Sequence, residues 1–516
     1  MSSRRRRVLL ATRPPRMAEL RRRLVPCGIA ALAGMALTGA FAPYGLWPLA
    51  VLSPAVLLWL WMDAPTPRAA ATLGFWYSCG TFALGTWWLY ISIHDYGQVP
   101  VWLALLLMAG LVLLMAAWQA LLGWSLIRWL PRHAGAGTLL AMPSAWVLIE
   151  WLRGWMFSGF PWLSLGYSQT DSPLAGFAPL AGVYGVSAML LVSAAGCVTA
   201  LRTGGRLRAI AVACALLPWL AGAGLQRIEW TQVQGDAVSV ALVQGAVPQD
   251  LKWQADNHDN ILALYRQLNQ QALGARIVVW PEAALPGVAN GLGRYLAEVW
   301  AESRAAGSAL LIGAVRTDAS GRDYFNSLLA LGEADPSFYD KQHLVPYGEY
   351  FPVPDFVRQW LQRMNMPFSD LVPGAAGQLP LEVAGLKLAA SICYEDAYGQ
   401  LLRSAEREAD LLVNVTNDAW FGTGSARYQH LQIARMRSLE SGRDLLRVAN
   451  DGVSALVDYR GRVLQQAPEF TPAVLRGQVQ PRGGLTPWLA AGDTPVLVLA
   501  GVLLAWLGLR QTRRRS

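Results

Sequence analysis

Long runs of apolar residues fill most of the first 226 residues of this chain and recur close to its C-terminus. Apolar runs of about 17–25 residues are long enough to cross a bilayer as helices. The pattern predicts seven such helices before residue 227 and an eighth after residue 485. Their predicted ranges are 24–42, 45–62, 70–92, 99–127, 138–154, 173–201, 209–226 and 487–509. The chain is therefore predicted to contain a polytopic α-helical membrane domain.

Between residues 227 and 485 the pattern changes to short aliphatic and β-branched runs. These are "VSVALV" (238–243), "RIVVW" (276–280), "ALLIGAV" (309–315), "SLLAL" (327–331), "LKLAASI" (386–392), "LLVNVT" (411–416), "LLRVA" (445–449) and "VSALVD" (453–458). Polar segments with helical spacing separate several of them, at 256–273, 291–305 and 426–441. Buried strands that alternate with helices indicate an α/β layered domain.

Five segments follow from these patterns. We predict a basic cytoplasmic N-terminus (1–23), a membrane domain (24–226), an α/β domain (227–485), an eighth membrane helix (486–510) and a basic cytoplasmic tail (511–516). The first apolar run, with "AFA" at 40–42, also resembles a signal peptide. An uncleaved first helix, however, keeps the charge pattern of the loops consistent.

Basic residues lie at alternate ends of the predicted membrane helices. The clusters are Arg4–Arg7, Arg13, Arg16 and Arg21–Arg23; Arg68; Arg128 and Arg132; Arg202, Arg206 and Arg208; and Arg510 and Arg513–Arg515. The loops between them, around 93–98 and 155–172, are almost free of basic residues. Because short cytoplasmic loops are enriched in Lys and Arg, eight spans with both chain ends in the cytoplasm fit every cluster. The α/β domain is then predicted to face the outside of the membrane.

Composition supports this division of the chain. Hydrophobic residues make up 54% and charged residues 15% of the sequence, which contains 23 Trp. Residues 227–485 hold 28 acidic and 23 basic residues, so their net charge is −5, whereas the remainder carries +14. The excess of Arg thus belongs to the membrane topology and does not indicate a nucleic-acid partner.

Three strand ends carry candidate chemistry. Glu282 comes just after a strand in "VVWPEAALP" (278–286), and Cys393 follows another in "SICYED". Lys341, one of three lysines in the chain, lies in "FYDKQHLVPYGEYFP" (338–352). Side chains in loops that a rigid sheet holds in place are a common source of reactive groups.

Each residue type suits one part of a nucleophilic reaction. A thiol is mostly protonated at neutral pH, so Cys393 needs a base, and Glu282 is the candidate. Attack on a carbonyl builds negative charge on oxygen, which the Lys341 ammonium and the amide of Tyr394 can stabilise. His343 lies close to Lys341, but the sequence supports no Cys–His pair. No spacing typical of metal ligands is visible, and no cofactor is expected.

The motifs taken together resemble the nitrilase (carbon–nitrogen hydrolase) family. They are "WPE", a lysine before "PYGEY", and "CYE", and the resemblance implies an α-β-β-α sandwich and a Glu-Lys-Cys triad. With membrane helices on both sides, residues 24 to 510 are similar to the apolipoprotein N-acyltransferase family. Further matching phrases are "LVQGAVPQDLKW" (242–253), "YFNS" (324–327), "NVTNDAWFG" (414–422) and "GFPWLSLGYSQ" (159–169).

This resemblance implies a two-step reaction in the bacterial inner membrane, with the catalytic domain facing the periplasm. Cys393 takes an acyl chain from a phospholipid, typically phosphatidylethanolamine, and the α-amino group of a diacylglyceryl-cysteine at an apolipoprotein N-terminus then attacks the thioester. The resemblance assigns supporting roles to Glu349, Tyr394 and Glu395. It also assigns positions around the substrate pocket to Trp253, Asn326, Trp420 and Phe421.

Both substrates carry acyl chains, which leave a bilayer only at about 0.8 kcal/mol per CH₂ group. The thiol is therefore expected to work near the lipid headgroups. We expect the apolar loops 155–167, 364–374 and 420–428 to form the lipid entrance.

Two other functions use the same sequence features less completely. A membrane-tethered amidase would share the triad, but a small polar substrate gives no reason for eight helices. A transporter or non-catalytic scaffold would need charged residues deep inside several spans, and Glu150 and Asp493 are the candidates for such positions.

Overall fold

The computed structural model of this protein describes residues 16–129, 135–332, 335–346, 348–350 and 371–513. Residues 1–15, Arg132 and Arg514–Ser516 lie outside these ranges. The cytoplasmic position of the basic residues among them therefore stays a prediction. The first seven residues of the expected entrance loop 364–374 lie outside them as well.

Eight main helices form one region of the molecule, here named the helical region. They are α1 (Arg16–Thr38), α2 (Leu49–Met62), α3 (Pro67–Gly85), α4 (Val101–Trp129), α5 (Ala136–Arg153), α6 (Ala178–Arg202), α7 (Gly205–Leu225) and, after the sandwich described below, α13 (Thr494–Arg513). Each overlaps one predicted apolar range. Within the described residues, four segments are long and apolar enough to cross a membrane: Val101–Trp129, Pro173–Arg202, Gly205–Leu225 and Thr494–Gln511. The apolar helices Leu24–Thr38 and Leu49–Met62 are shorter.

The eighth predicted helix differs from the prediction at its start. A short helix, α12 (Pro487–Ala491), precedes α13, and the two are separated at Gly492. Gly492 has a φ of 65°, a left-handed conformation that costs glycine little and ends a helix. The chain thus turns before it enters the long C-terminal helix.

Two six-stranded sheets form the second region. The first has the order β13-β2-β3-β4-β5-β6 and the second β12-β11-β10-β9-β8-β7. Their strands are β2 (Val238–Gln244), β3 (Ile277–Val279), β4 (Ala309–Thr317), β5 (Tyr324–Leu331), β6 (Ser337–Asp340), β7 (Leu381–Val383), β8 (Leu386–Ile392), β9 (Leu411–Thr416), β10 (Leu445–Ala449), β11 (Ala455–Val457), β12 (Val463–Gln466) and β13 (Ala473–Val479). A separate pair joins β1 (Gln232–Val233) to β14 (Arg482–Gly483).

The layers of this region are helix, sheet, sheet and helix. An aliphatic core between the sheets contains Val240 and Val279 from one and Ile392 and Val413 from the other. Helices α8 (His258–Ala272) and α9 (Gly293–Ala305) cover the outer face of the first sheet. Helices α10 (Gly399–Glu406) and α11 (Ala426–Ser441) cover the second. The predicted α-β-β-α sandwich is confirmed.

Helix α11 also joins the sandwich to the helical region. Its Ile433 and Met436 belong to the same buried cluster as Val186 and Leu190 of α6. Nearly every side chain of α11 is buried, because one side of the helix packs on the second sheet and the other on the helical region. This contact fixes the carboxyl ends of β8 and β9 close to the loops of the helical region.

Candidate active site

Glu282 lies in a tight loop after β3 that the neighbouring strand β4 accommodates. A Cβ atom at Gly313 of β4 would lie 2.1 Å from the carbonyl oxygen of Pro281 and 2.7 Å from the Cα of Glu282. Only glycine allows this approach. The next residue, Ala283, has a φ of 44°, and its neighbour Ala284 donates its amide to the Gly313 carbonyl at 2.7 Å. The loop is therefore built to hold the Glu282 carboxylate in one place.

Cys393 begins a turn of 3₁₀-helix, Cys393–Ala397, directly after β8. Its φ of 52° is left-handed, a conformation that costs a non-glycine residue about 1–3 kcal/mol and persists only where the surrounding structure holds it. Such strain is common at nucleophiles because a sharp turn exposes the side chain at the end of a sheet. Cys393 is partly buried, and its thiol lies close to the side chain of Thr416.

Lys341 follows β6 and lies between two carboxylates. Its Nζ is 2.9 Å from Glu349 Oε1 and 3.6 Å from Glu282 Oε1, and its side chain is 1% exposed. Asn326 of β5 donates from Nδ2 to the same two oxygens, at 2.7 Å to Glu282 and 3.0 Å to Glu349. The backbone amide of Asn417 donates to Glu282 Oε2 at 2.8 Å. Donors thus surround the Glu282 carboxylate on both oxygens.

The pKa values follow from these neighbours. Burial, together with the nearby Glu282 carboxylate, raises the pKa of the Cys393 thiol well above its ordinary value, although Lys341 opposes the shift. Burial alone would lower the pKa of Lys341, but Glu349 and Glu282 overcome it and hold that pKa raised. The resting site therefore contains a neutral thiol and a charged ammonium, so the thiol needs a base before it can attack.

Glu395 connects the turn that begins at Cys393 to the chain that follows Lys341. Its Oε1 accepts the amides of Gln342 at 2.6 Å and His343 at 3.1 Å, and its Oε2 accepts the amide of Ile392 at 2.8 Å. The hydroxyl of Tyr339 donates to both oxygens at 3.1 Å. This buried carboxylate fixes the position of Lys341 relative to Cys393.

We expect Glu395→Gln to lower kcat by about 10–100-fold, with KM nearly unchanged. The amide group of Gln would point an N–H toward backbone N–H donors, which costs roughly 1–3 kcal/mol for each group left unpaired. Steady-state kinetics of the purified protein measures both constants. Glu408→Gln, a change on the surface of the same domain, is the control, and a KM effect without a kcat effect would contradict the assignment.

A loop of the helical region covers the turn that begins at Cys393. The ring of Trp162 stacks on that of Tyr394 at 6.1 Å between centroids, and the Tyr394 hydroxyl donates to the Gly159 carbonyl at 3.3 Å. Tyr398 donates to the same carbonyl at 3.1 Å. Trp162 is 2% exposed and forms a wall of the site. A residue that lines the expected lipid entrance from outside would be exposed. The exposed aromatic residues of that loop are Trp155 and Phe157, at 54% and 72% exposed.

The residues assigned to the substrate pocket are placed differently from one another. Asn326 contacts the carboxylates of Glu282 and Glu349, as described above. Phe421 packs edge-on against Trp88 of the helical region at 4.8 Å. Trp420 is 38% exposed and lies edge-on to Tyr96 at 6.1 Å. Trp253 is 52% exposed on the turn after β2 and does not pair with Glu282, Lys341 or Glu349.

Two residues that contact Glu282 were not proposed from sequence. The Asn417 amide lies within "NVTNDAWFG", a matching phrase, but nothing in a sequence tells which backbone amide meets a carboxylate. Lys252 is fully buried and donates weakly to the Glu282 carbonyl, at 3.4 Å. Burial lowers the pKa of Lys252 to about 8, although Glu282 opposes the shift.

Four buried charged side chains behind Cys393 were missed as well and are here named the charge ring. His430 of α11 pairs with Asp418 through Nδ1 at 2.9 Å and with Asp396 through Nε2 at 3.1 Å. Arg447 of β10 pairs with Asp418 at 3.0 Å and with Asp396 at 3.3 Å. Both ring nitrogens of His430 face only acceptors, so the imidazole carries two protons, and the ring alternates two cations with two anions.

Stability is expected to fall as the pH rises through the range in which His430 titrates. Burial opposes protonation, but Asp396 and Asp418 raise the pKa of His430 from 6.5 to about 9, with Arg447 working against them. The stabilisation is complete below about pH 6.5 and is lost as the pH rises through about 9. Thermal unfolding midpoints at pH 6.5 and 9.5 measure this loss. The neutral pair His430→Gln/Asp396→Asn should lose less, and an equal loss in both proteins contradicts the linkage.

Comparison with known proteins covers both regions of the chain. Residues 33–196 match the family model for the apolipoprotein N-acyltransferase N-terminal domain, and residues 239–486 match that for carbon-nitrogen hydrolase. An apolipoprotein N-acyltransferase of Nitrosomonas europaea is 41% identical over 495 residues, which cover 94% of this chain and 98% of the relative. One of Azotobacter vinelandii is 43% identical over 495 residues, 95% of this chain and 96% of the relative. Among solved structures, the carbon-nitrogen hydrolase from Helicobacter pylori G27 covers 47% of this chain and 89% of its own, with a TM-score of 0.35 and 17% identity.

Proposed function

Because the chain belongs to the apolipoprotein N-acyltransferase family, we propose that Cys393 carries an acyl chain as a thioester between a phospholipid and a diacylated apolipoprotein. The activity of the chain is N-acyl transfer, and its relatives do not favour the amidase alternative. The residue roles, the donor and the orientation given below are our proposal. The observation that carries it is the convergence of Glu282, Lys341 and Glu349 beside a thiol whose turn contacts the helical region.

In the first step Glu282 accepts the proton of the Cys393 thiol while the sulfur attacks the sn-1 ester carbonyl of the phospholipid. The Lys341 ammonium and the amide of Tyr394 stabilise the oxyanion, a contribution of about 3–4 kcal/mol for one preorganised donor. The carbon–oxygen bond then breaks, and protonated Glu282 returns its proton to the departing glycerol oxygen. The products are a thioester on Cys393 and a lysophospholipid.

In the second step the α-amino group of the diacylglyceryl-cysteine attacks the thioester carbonyl. Glu282 accepts a proton from the attacking nitrogen and passes it to the departing Cys393 sulfur. Lys341 again faces the oxyanion. An amide forms on the apolipoprotein, and the enzyme regains its neutral thiol.

Phosphatidylethanolamine is the proposed donor. A purified sample mixed with phosphatidylethanolamine labelled on the sn-1 chain and a synthetic diacylglyceryl-cysteine peptide should transfer the label to the peptide amine. An N-acetylated peptide, whose amine is blocked, should receive none. Label that appears only as free fatty acid would contradict acyl transfer, and faster transfer from phosphatidylglycerol would contradict the donor.

We propose that the helical region spans the bacterial inner membrane with the sandwich on the periplasmic side. Helices α4 and α7 support this, because apolar side chains such as Leu106 and Leu220 are 60% and 70% exposed. Arg202 at the end of α6 pairs with Asp63 at the end of α2 at 2.6 Å, on the side predicted to be cytoplasmic. Alkaline phosphatase fused at Arg513 should therefore be inactive, and an active fusion contradicts this orientation.

A further inference from the structure

We propose that His430 is a positioning residue for Cys393, whose carbonyl it holds so that the thiol points toward Glu282 and Lys341. This inference rests on the proposed role of Cys393 as the nucleophile. His430 Nε2 lies 3.2 Å from the Cys393 carbonyl oxygen and shares its proton between that oxygen and Asp396. His430 thus places a charged side chain in contact with the backbone carbonyl of Cys393.

The left-handed backbone of Cys393 is held on both of its sides. On the carboxyl side, His430 and Asn414 donate to the Cys393 carbonyl, the latter at 3.4 Å. On the amino side, the Ile392 amide donates to Glu395. Releasing the carbonyl would let the peptide relax toward the ordinary extended conformation, and the thiol would turn with it.

The charge ring keeps His430 from rotating and ties it to the base. Asp418 and Asp396 hold one ring nitrogen each, and Arg447 anchors both aspartates. Asp418 directly follows Asn417, whose amide donates to Glu282. The same buried group therefore sets the orientation of the nucleophile and of the segment that holds its base.

Several contacts separate His430 from any substrate. It contacts the carbonyl of Cys393, whereas the thiol lies close to the side chain of Thr416. His430 is 1% exposed, and the rings of Trp162 and Phe421 cover it at 5.8 Å and 6.3 Å. An effect of His430 should therefore reach kcat through Cys393 and leave the KM for phospholipid unchanged.

Two double variants separate the hydrogen-bond donor from the charge. His430→Gln/Asp396→Asn and His430→Leu/Asp396→Asn both keep the ring neutral, but only Gln can donate to the Cys393 carbonyl. We expect the Gln pair to keep at least about one third of the wild-type kcat and the Leu pair to lose about tenfold or more. KM should stay within about twofold of wild type in both. The half-exposed His258→Gln serves as the control.

A second measurement does not depend on acyl transfer. Iodoacetamide alkylates a thiol directly, and the rate at Cys393 is followed on its peptide by mass spectrometry, which separates it from the other cysteines. We expect the Leu pair to be alkylated about tenfold more slowly than the Gln pair. If wild type forms no thioester but this difference persists, the proposed function fails while the positioning role stands.

Equal kcat and equal alkylation rates in the two pairs would overturn the positioning role. A change in KM with kcat intact would overturn it as well. If the Leu pair does not fold, His430→Ser/Asp396→Asn replaces it with the same expectation, because the serine hydroxyl is too short to reach the carbonyl.

Discussion

Replacing Glu282 by Gln is expected to slow the acylation of Cys393 by about 10³-fold, the middle of the range for losing a general base. The thiol cannot replace the base with its own ionisation, because burial and Glu282 hold its pKa raised. The Gln amide also disturbs the carboxylate site, since Asn326, Asn417 and Lys341 all present donors to it. The two effects act in the same direction.

Single-turnover formation of the thioester, followed by rapid quench and intact mass, measures this loss directly. Glu298→Gln, on the exposed side of α9, is the matched control and should keep the wild-type rate. The thermal unfolding midpoint of Glu282→Gln should fall but the protein should stay folded, because the side-chain volume is kept while some donors lose their acceptor. A loss of less than about tenfold would contradict the assignment of Glu282 as the base.

Replacing Lys341 by Met is expected to lower the rates of both acylation and transfer by about 10²–10³-fold. Methionine keeps most of the length of the side chain but removes the ammonium that faces the oxyanion in each step. It also leaves Glu282 and Glu349 without their shared cation. The exposed Lys387→Met provides a matched control on another lysine.

The double variant Lys341→Met/Glu349→Gln distinguishes loss of chemistry from loss of structure. Removing the second carboxylate should restore part of the unfolding midpoint that the single variant loses, because only Glu282 then remains buried without its cation. The acylation rate should stay low, because the oxyanion still lacks its cation. Recovery of the rate in the double variant would mean that Lys341 serves only to neutralise Glu349.

The inner strands of the sandwich could be predicted from sequence, and its edge strands could not. The runs 386–392, 411–416 and 445–449 match β8, β9 and β10 at both ends. The missed strands β6, β7, β12 and β13 are the four outer strands of the two sheets. An edge strand is covered on fewer sides, so it needs no continuous apolar run, and β12 is exposed along its whole length.

The residues of the candidate site also divide into those that could be predicted from sequence and those that could not. Glu282, Lys341 and Cys393 could be proposed from sequence because each residue type has its own chemical role and because the motifs around them together resemble the nitrilase family. The charge ring could not, because Asp396, Asp418, His430 and Arg447 come from four separate elements, and each of them alone is an ordinary polar residue. Within the loop 155–167, sequence alone could not show that Trp162 packs on Tyr394 while Trp155 and Phe157 are exposed.

Intact mass of the purified protein after incubation with phosphatidylethanolamine tests the central claim most directly. We predict one added acyl group, mapped to Cys393, that disappears when a diacylglyceryl-cysteine peptide is supplied and reappears on that peptide. Cys393→Ala should show no adduct. An adduct on another residue, or peptide acylation by Cys393→Ala, would contradict the account.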